Sequence, residues 1–204
     1  LTALSLQAQN LAQADTPERM RERLVPLQAG IERARRLTVQ LLDLARLQAG
    51  GHASTEIDVP ALARELAAEF QPLAEAKEID LGIEEAGLKS MRSDPQALGL
   101  IMRNALDNAL KYTPRGGKVT LRLRRLGNGA SVEVIDNGPG IPVEELERVF
   151  NPFHRLPNAT AEGSGLGLAI VREAAARAGG TVSLENRKPG LVFCFTQTDN
   201  ARNR

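Results

Sequence analysis

The sequence predicts an α+β fold in which an antiparallel helical hairpin precedes a two-layer α/β sandwich. Residues 1 to 50 show helical periodicity and almost no strand signal. From residue 56 onward, short alternating apolar runs and amphipathic runs follow one another. We therefore expect the strands to form one sheet and the helices to cover one of its faces.

The amino-terminal part predicts two helices. Leu1, Leu4, Ala8 and Leu11 lie at steps of three and four, and Thr16-Pro17 then supplies an N-cap and a first helical residue. The second helix is expected to run to about Gln48, with Pro26 loosening it. It carries a seven-residue repeat at Leu24, Leu27, Ile31, Ala34, Thr38, Leu41 and Ala45. Two helices cannot bury this stripe alone, so a four-helix bundle formed by a homodimer is expected.

The composition limits the possible partners. The chain has 204 residues, a net charge of +1, 42% apolar and 25% charged residues, which indicates a globular protein with no general attraction to nucleic acid or anionic lipid. The single cysteine, Cys194, excludes an internal disulfide and is expected to fill the core. The chain opens on "LTALSLQAQN", within a helical pattern, so we expect a fragment of a longer protein.

After a small, polar linker at residues 49 to 56, strands and helices alternate. Asp94 predicts the N-cap of the second helix in this part, and Gly179-Gly180 predicts the end of the third. The elements are, in order, "EIDV" (strand), "PALARELAAEFQPLAEAK" (helix), "IDLGIEE" (strand), "DPQALGLIMRNALDNALKY" (helix), "KVTLRLRRL" and "ASVEVID" (hairpin), "GLGLAIVREAAARA" (helix), and "TVSLEN" and "GLVFCFTQT" (hairpin).

A row of polar side chains marks one face of the helix that contains "NALDNALKY". Asn104, Asn108 and Lys111 lie at positions i, i+4 and i+7. Amide oxygens suit a hard cation such as Mg²⁺, and a lysine suits phosphate as a point charge. Taken alone, the row is more typical of a solvated helix face.

The stretch "EVIDNGPGIP" places an acid directly after a strand. The carboxylate of Asp136 can accept hydrogen bonds from an exocyclic amine, while Gly138 and Gly140 let a flat ring approach the backbone. The alternative is a tight turn, for which Asn-Gly is common.

An irregular stretch from about residue 137 to 165 is longer than packing requires, which is typical of a lid. It contains Phe150 and Phe153, for which a docking contact and a small satellite core are equally good interpretations. His154 is expected to make local contacts, and Arg155 can reach a terminal phosphate. The stretch ends in "GSGLGL" before a helix, where free backbone N–H groups favour an anion.

In this order and spacing, the four motifs resemble the ATP-binding domain of sensor histidine kinases, which has the Bergerat (GHKL) nucleotide fold shared with gyrase, Hsp90 and MutL. The resemblance implies that Asn108 ligates Mg²⁺ with support from Asn104, that Lys111 contacts phosphate and that Asp136 binds the adenine amine. It gives catalytic roles to Asn104, Lys111 and Arg155. It assigns ATP contacts also to Tyr112, Gly138, Gly140, Ile141, Phe153, Gly163, Gly165, Leu166 and Gly167, and makes Phe150, Pro152 and Phe153 the segment that grips the helical domain.

The same resemblance assigns residues 1–50 to a dimerisation and phosphoacceptor hairpin and residues 55–199 to the ATP-binding domain. The acceptor motif His-Glu-Leu-Arg-Thr-Pro does not occur, and neither His52 nor His154 lies at its position. The fragment is therefore expected to bind ATP without phosphorylating itself. The hinge at residues 49 to 55 is expected to move so that the acceptor imidazole reaches the γ-phosphate.

The function implied is that of an ATP-dependent protein-histidine kinase, the cytoplasmic portion of an inner-membrane sensor that passes phosphate to a response regulator. ATP-hydrolysing relatives carry a glutamate where this chain has Asn104, and an amide cannot accept a proton from water. A gyrase-like or Hsp90-like ATPase, a nucleotide-binding regulatory module without catalysis, and a purely structural dimerisation protein are the alternatives.

Overall fold

The computed structural model describes residues 2–13, 15–49, 54–156 and 164–199. The chain divides into two compact units, Leu1–Arg46 and Leu47–Arg204. Within the described ranges, every helix is too short or too polar to cross a bilayer.

Two helices make up most of the first unit, α1 (Thr2–Ala12) and α2 (Pro17–Ala49). The N–H of Arg19 donates to Thr16 Oγ1 at 3.3 Å, which confirms the predicted N-cap. The Arg23 guanidinium donates to the carbonyl oxygen of Asn10, so the helices meet near their connection. Apolar side chains of α2 remain exposed in the single chain, among them Leu24, Val25, Ile31, Leu37, Val39, Leu41 and Leu42.

The second unit is a two-layer α/β sandwich, as predicted. Its five-stranded sheet has the order β2-β4-β5-β7-β6, and β2 and β4 are its parallel pair. The elements are β1 (Thr55–Asp58), α3 (Val59–Ala76), β2 (Asp80–Ala86), β3 (Ser90–Ser93), α4 (Pro95–Tyr112), β4 (Lys118–Leu126), β5 (Gly129–Asp136), α5 (Gly167–Arg177), β6 (Gly180–Asn186) and β7 (Leu191–Thr198), with 3₁₀ turns at Val143–Glu145 and Arg148–Phe150.

Three sequence predictions about this unit were wrong. The strands form two sheets, because β1 pairs antiparallel with β3, a four-residue strand too short to give a clear pattern. The linker predicted at residues 49 to 56 was too long, because Thr55 and Glu56 already belong to β1. Cys194 is half-buried outside the core, because strand alternation sends Phe193 and Phe195 inward and Cys194 to the opposite face, beside Ser131 and Thr196.

Helix α4 packs its apolar face into the core and has a capped amino-terminal end. Its apolar face is buried, with Leu98, Leu106 and Leu110 fully inaccessible. Asp94 caps the helix as predicted, by accepting from the N–H groups of Gln96 at 2.9 Å and Ala97 at 3.1 Å. These bonds place the start of α4 at Pro95.

A buried ion pair fixes the same helix end. Arg177 Nε lies 2.6 Å from Asp94 Oδ2, and both side chains are more than nine-tenths buried. Burial raises the pKa of Asp94, but the hydrogen bond and charge of Arg177 and the two N–H donors outweigh it and hold that pKa below its ordinary value.

A lysine at the end of α3 holds the carboxyl-terminal end of α4. Lys77 Nζ donates to the carbonyl oxygens of Leu110 (2.6 Å), Lys111 (3.0 Å) and Thr113 (2.8 Å). Carbonyl groups at a helix end have no partner within the helix, and here one ammonium group satisfies three of them.

Candidate functional site

Asp136 ends β5 in a half-buried position, where the sequence predicts an acceptor for an amine. The N–H of Gly138 donates to Asp136 Oδ1 at 2.8 Å, and the backbone of Leu191 makes a second hydrogen bond to the carboxylate. Burial raises the pKa of Asp136 above its ordinary value, and the two backbone hydrogen bonds oppose that rise. The carboxylate is thus oriented by the backbone and partly withdrawn from water.

At the two glycines after Asp136, the chain's own atoms leave little room for a Cβ. A Cβ on Gly138 would lie 2.9 Å from Asp136 Oδ1 and 3.3 Å from the carbonyl oxygen of Tyr112. Gly140 has a φ of +72°, and a Cβ there would lie 2.7 Å from Asn186 Oδ1. The sequence-based interpretation, room for a flat ligand, stays a prediction, and the geometry adds that the loop packs closely against its own neighbours at these two positions.

The sequence analysis missed Asn186, the last residue of β6. Its side-chain amide accepts from the N–H of Ile141 at 2.9 Å and donates to the carbonyl oxygen of Ile141 at 2.6 Å. This contact spans 45 positions. An asparagine at a strand end before a glycine turn is common, so the sequence carried no local signal for it.

The polar face of α4 lies against the start of α5. Asn104 Nδ2 donates to the carbonyl oxygen of Leu100 at 2.9 Å. A Cβ on Gly167 would lie 3.2 Å from Asn104 Oδ1 and 3.8 Å from Asn108 Nδ2. The structure therefore brings together the amide pair of one predicted motif and the last glycine of another.

Lys111, Tyr112 and Arg155 form a cationic and aromatic group beside this face. Lys111 Nζ lies 5.1 Å from the centre of the Tyr112 ring, a cation–π distance. The pKa of Tyr112 lies above its ordinary value, mainly because the side chain is partly buried. The positive charge of Arg155 opposes this rise, and the negative charge of Asp107 adds to it. Arg155 is thus close enough to act electrostatically on Tyr112.

An open depression of about 570 Å³ lies beside Tyr112, less enclosed than the clefts that usually hold ligands. Lys111, Tyr112 and Gly138 are the predicted site residues that line it, whereas Asp136 and Asn108 are not among its lining residues. The other lining residues are Lys77, Thr113, Pro114, Asn137 and Pro139.

The two phenylalanines of the irregular stretch have different environments. Phe150 is 4% exposed and joins the core, whereas Phe153 is 69% exposed and has a φ of 63°. The core interpretation is therefore confirmed for Phe150, and the docking contact stays a prediction for Phe153. His154 makes the expected local contact, with Nε2 2.5 Å from Glu145 Oε2.

The glycines before α5 meet the same segment. The N–H of Phe153 donates to the carbonyl oxygen of Gly165 at 2.9 Å, and a Cβ on Gly165 would lie 2.7 Å from the carbonyl carbon of Phe153. Leu166 is 5% exposed, and its N–H donates to Ser164 Oγ at 3.1 Å. Gly163 lies outside the described residues, as does His52.

Among the described residues, no three His, Cys, Asp or Glu side chains gather into a group that can hold a metal ion. The predicted cation ligand, Asn108, is an amide of the type that Mg²⁺ accepts, and Mg²⁺ takes few protein ligands. The residues present therefore fit a divalent cation held mainly by phosphate and water.

Comparison with known proteins agrees with this fold and these motifs. Residues 93–200 match the family described as "Histidine kinase-, DNA gyrase B-, and HSP90-like ATPase". The chain is 34% identical, over 95% of its length, to the swarming motility regulation sensor protein RssA of Serratia marcescens, and 37% identical, over 93%, to the sensor protein QseC of Escherichia coli O157:H7. It spans 43% and 42% of the lengths of these two relatives.

A solved structure gives the same result. The nucleotide-free catalytic domain of the histidine kinase ThkA is 29% identical, with a TM-score of 0.65, over 72% of this chain and 98% of that domain. The family match covers more than half of the chain and contains all four motifs. The chain therefore belongs to the histidine kinase-, gyrase B- and HSP90-like ATPases and carries the ATP-binding catalytic domain of a sensor histidine kinase.

Proposed function

We propose that this chain is the catalytic part of a two-component sensor histidine kinase, which binds Mg-ATP and transfers the γ-phosphoryl group to a histidine outside this chain. Residues 55–199 form the ATP-binding domain in this proposal, and residues 1–50 are the remaining part of the dimerisation and phosphoacceptor hairpin. The family match to residues 93–200 and the exposed apolar side chains of α2 support the two assignments.

Asp136 is the group that recognises adenine. Its carboxylate accepts a hydrogen bond from the exocyclic amine, while Gly138, Gly140 and Ile141 present backbone to the ring. Tyr112 lies beside the nucleotide. The backbone N–H donors that orient Asp136 support this role, because they hold an acceptor in place before the ligand arrives.

The phosphate side of the site is formed by α4 and by the segment that leads into α5. Asn108 ligates Mg²⁺ with Asn104 in support, and the ion neutralises charge on the phosphate oxygens. Lys111 and Arg155 contact phosphate, and the backbone of Gly163, Gly165, Leu166 and Gly167 completes this side. The position of Gly167 against both asparagines supports the arrangement.

One observation favours transfer over hydrolysis: the Asn104 amide donates to the carbonyl oxygen of Leu100, at the position where hydrolysing relatives carry a glutamate. An amide cannot take a proton from water. The acceptor imidazole is the nucleophile. Its nitrogen bonds to the γ-phosphorus as the bond between that phosphorus and the bridging oxygen breaks and ADP leaves. The phosphorylated ring then carries a positive charge, and it releases its remaining N–H proton to water.

The remaining assignments concern the rest of the sensor. Phe153, with its exposed ring, and Phe150 and Pro152 belong to the segment that grips the helical domain. The hairpin forms a homodimer, and a cognate response regulator receives the phosphoryl group on an aspartate. The chain works on the cytoplasmic side of an inner membrane that it reaches through segments outside this sequence, and nucleic acid is not a partner.

The test supplies a separate hairpin that carries the acceptor histidine, with ATP labelled at the γ-phosphate. We expect acid-labile, base-stable label on the hairpin, and no label when Asp136→Asn replaces the wild-type chain. Rapid release of inorganic phosphate without an acceptor would instead identify an ATPase. Tight Mg-ADP binding without transfer or hydrolysis would identify a regulatory nucleotide-binding module.

A further inference from the structure

The turn between β6 and β7 holds the loop that follows Asp136, and Asn186 is its central contact. One amide side chain satisfies both hydrogen-bonding groups of the Ile141 backbone, by accepting from the N–H at 2.9 Å and donating to the carbonyl oxygen at 2.6 Å. Only a side chain with an adjacent donor and acceptor can make both bonds. Asn186 thus gives the Ile141 backbone one acceptor and one donor, as the backbone of a neighbouring strand would.

The other end of the same turn holds Asp136 itself. The strand register pairs Asp136 with Leu191, whose backbone makes a hydrogen bond to the carboxylate. Gly190 has a φ of +108°, and a Cβ there would lie 1.8 Å from the carbonyl oxygen of Asp136. The N–H of Arg187 donates to the carbonyl oxygen of Gly190 at 2.8 Å and closes the turn. Residues 186–191 therefore contact the loop 136–141 at both of its ends.

Gly140 shows how closely the two segments fit. The space that a Cβ on Gly140 would need is occupied by Asn186 Oδ1, at 2.7 Å. A larger residue at position 140 would therefore displace the amide that holds Ile141. The glycine and the asparagine form one interlocked contact, although residues 140 and 186 are 46 positions apart.

We propose that Asn186 is a positioning residue that determines base selectivity, by fixing the loop 138–141 so that Asp136 and the loop backbone meet the adenine amine in a single geometry. The proposal rests on the proposed function, in which Asp136 recognises adenine. Because hydrogen-bond selectivity depends on holding the acceptor in place, a loosened loop discriminates less between bases.

The experiment compares Mg-ADP with Mg-IDP, which has a carbonyl oxygen in place of the adenine amine, by calorimetric titration of the full chain. We expect Asn186→Ala to weaken ADP binding about tenfold and IDP binding much less, so that the ADP-to-IDP selectivity falls. Asn186→Asp keeps the acceptor and loses the donor, so its selectivity should be intermediate. Ser183→Ala, at an exposed position of the same strand, should match the wild type.

The ratio separates positioning from a general structural role. Equal weakening of ADP and IDP by Asn186→Ala, or unchanged binding of both, would overturn the inference, and Asn186→Asp gives the same answer if the alanine variant does not fold. A wild-type chain that binds neither nucleotide would overturn the proposed function first. A wild-type chain that prefers ADP, with the same preference in both Asn186 variants, would overturn the inference alone.

Discussion

Helices α2 and α4 have similar apolar periodicity and opposite environments. In α4, Leu98, Leu106 and Leu110 are fully buried within the chain. In α2, Ile31 and Leu41 are each 54% exposed. The comparison shows that periodicity predicts which face of a helix is apolar enough to be buried. It does not predict which part of the protein, or which partner, covers that face. For α4 the partner is in the same chain, and for α2 we propose a second copy.

The largest expected effect comes from the buried anchor of α4. Arg177→Met leaves Asp94 as an unpaired buried carboxylate, so we expect the free energy of unfolding to fall by about 3–5 kcal/mol in chemical denaturation. The matched control is Arg103→Met, which removes a half-exposed ion pair between α4 and Glu69 and should change stability by less than about 1 kcal/mol. Equal losses would mean that the buried pair does not hold α4.

A pair of alanine substitutions tests the comparison directly. Leu106→Ala, in the core, should lower the free energy of unfolding by about 2–5 kcal/mol through lost burial and a cavity. Leu41→Ala should stay within about 0.5 kcal/mol in dilute protein. When the protein concentration is raised, the melting temperature of the wild-type chain should rise, because dimerisation buries α2. The melting temperature of Leu41→Ala should rise less. A melting temperature independent of concentration in both would contradict the proposed homodimer.

A substitution on the polar face of α4 should change ligand binding and leave the stability of the ligand-free chain unchanged. Asn108→Asp should weaken Mg-ADP binding at least about tenfold, or about 1.4 kcal/mol, because it alters the charge at the proposed metal ligand. The melting temperature of the ligand-free chain should stay near the wild-type value, since Asn108 is only half-buried. Calorimetry and thermal melts measure the two quantities, and Arg103→Met serves again as the control. Unchanged binding would place the cation elsewhere.

The smallest effect is a pH dependence at the base side of the site. Burial raises the pKa of Asp136, so its carboxylate takes up a proton at a higher pH than an ordinary aspartate. The protonated group is a poorer acceptor, and ADP affinity should therefore fall as the pH is lowered through that raised pKa. The ADP-to-IDP affinity ratio is the measurement, because titration of the diphosphate affects both nucleotides alike. A ratio independent of pH would mean that Asp136 does not bind the base.

Patterns within single elements predicted most of the fold. The N-caps at Thr16 and Asp94 and the last hairpin were predicted, because each depends on neighbouring residues. The separate β1–β3 sheet was not, because a four-residue strand has too few positions to show alternation. Cys194 was misplaced because its position in a strand-like apolar run was taken as a sign of the core, whereas strand alternation places it on the face opposite Phe193 and Phe195.

The candidate site was predictable to the same extent. The four motifs predicted the nucleotide-binding domain because their order and spacing are distinctive together, although no single motif is, and the roles of the individual residues stay predictions. Asn186 was missed because its role depends on a contact with Ile141, which only the folded sheet creates. The close packing at Gly140 was missed for the same reason, because the atom that a Cβ would meet there belongs to Asn186.

The contact of Lys77 with the end of α4 has an electrostatic consequence for a nucleotide. A helix carries partial negative charge at its carboxyl end, and Lys111 and Tyr112 stand at that end of α4. In our proposal an anionic triphosphate approaches this pole, whereas phosphates usually meet the amino end of a helix. The ammonium of Lys77, bonded to three terminal carbonyl groups, offsets the repulsion. A helix end that would otherwise repel phosphate can then present Lys111 to it, because the charge of Lys77 opposes the negative pole.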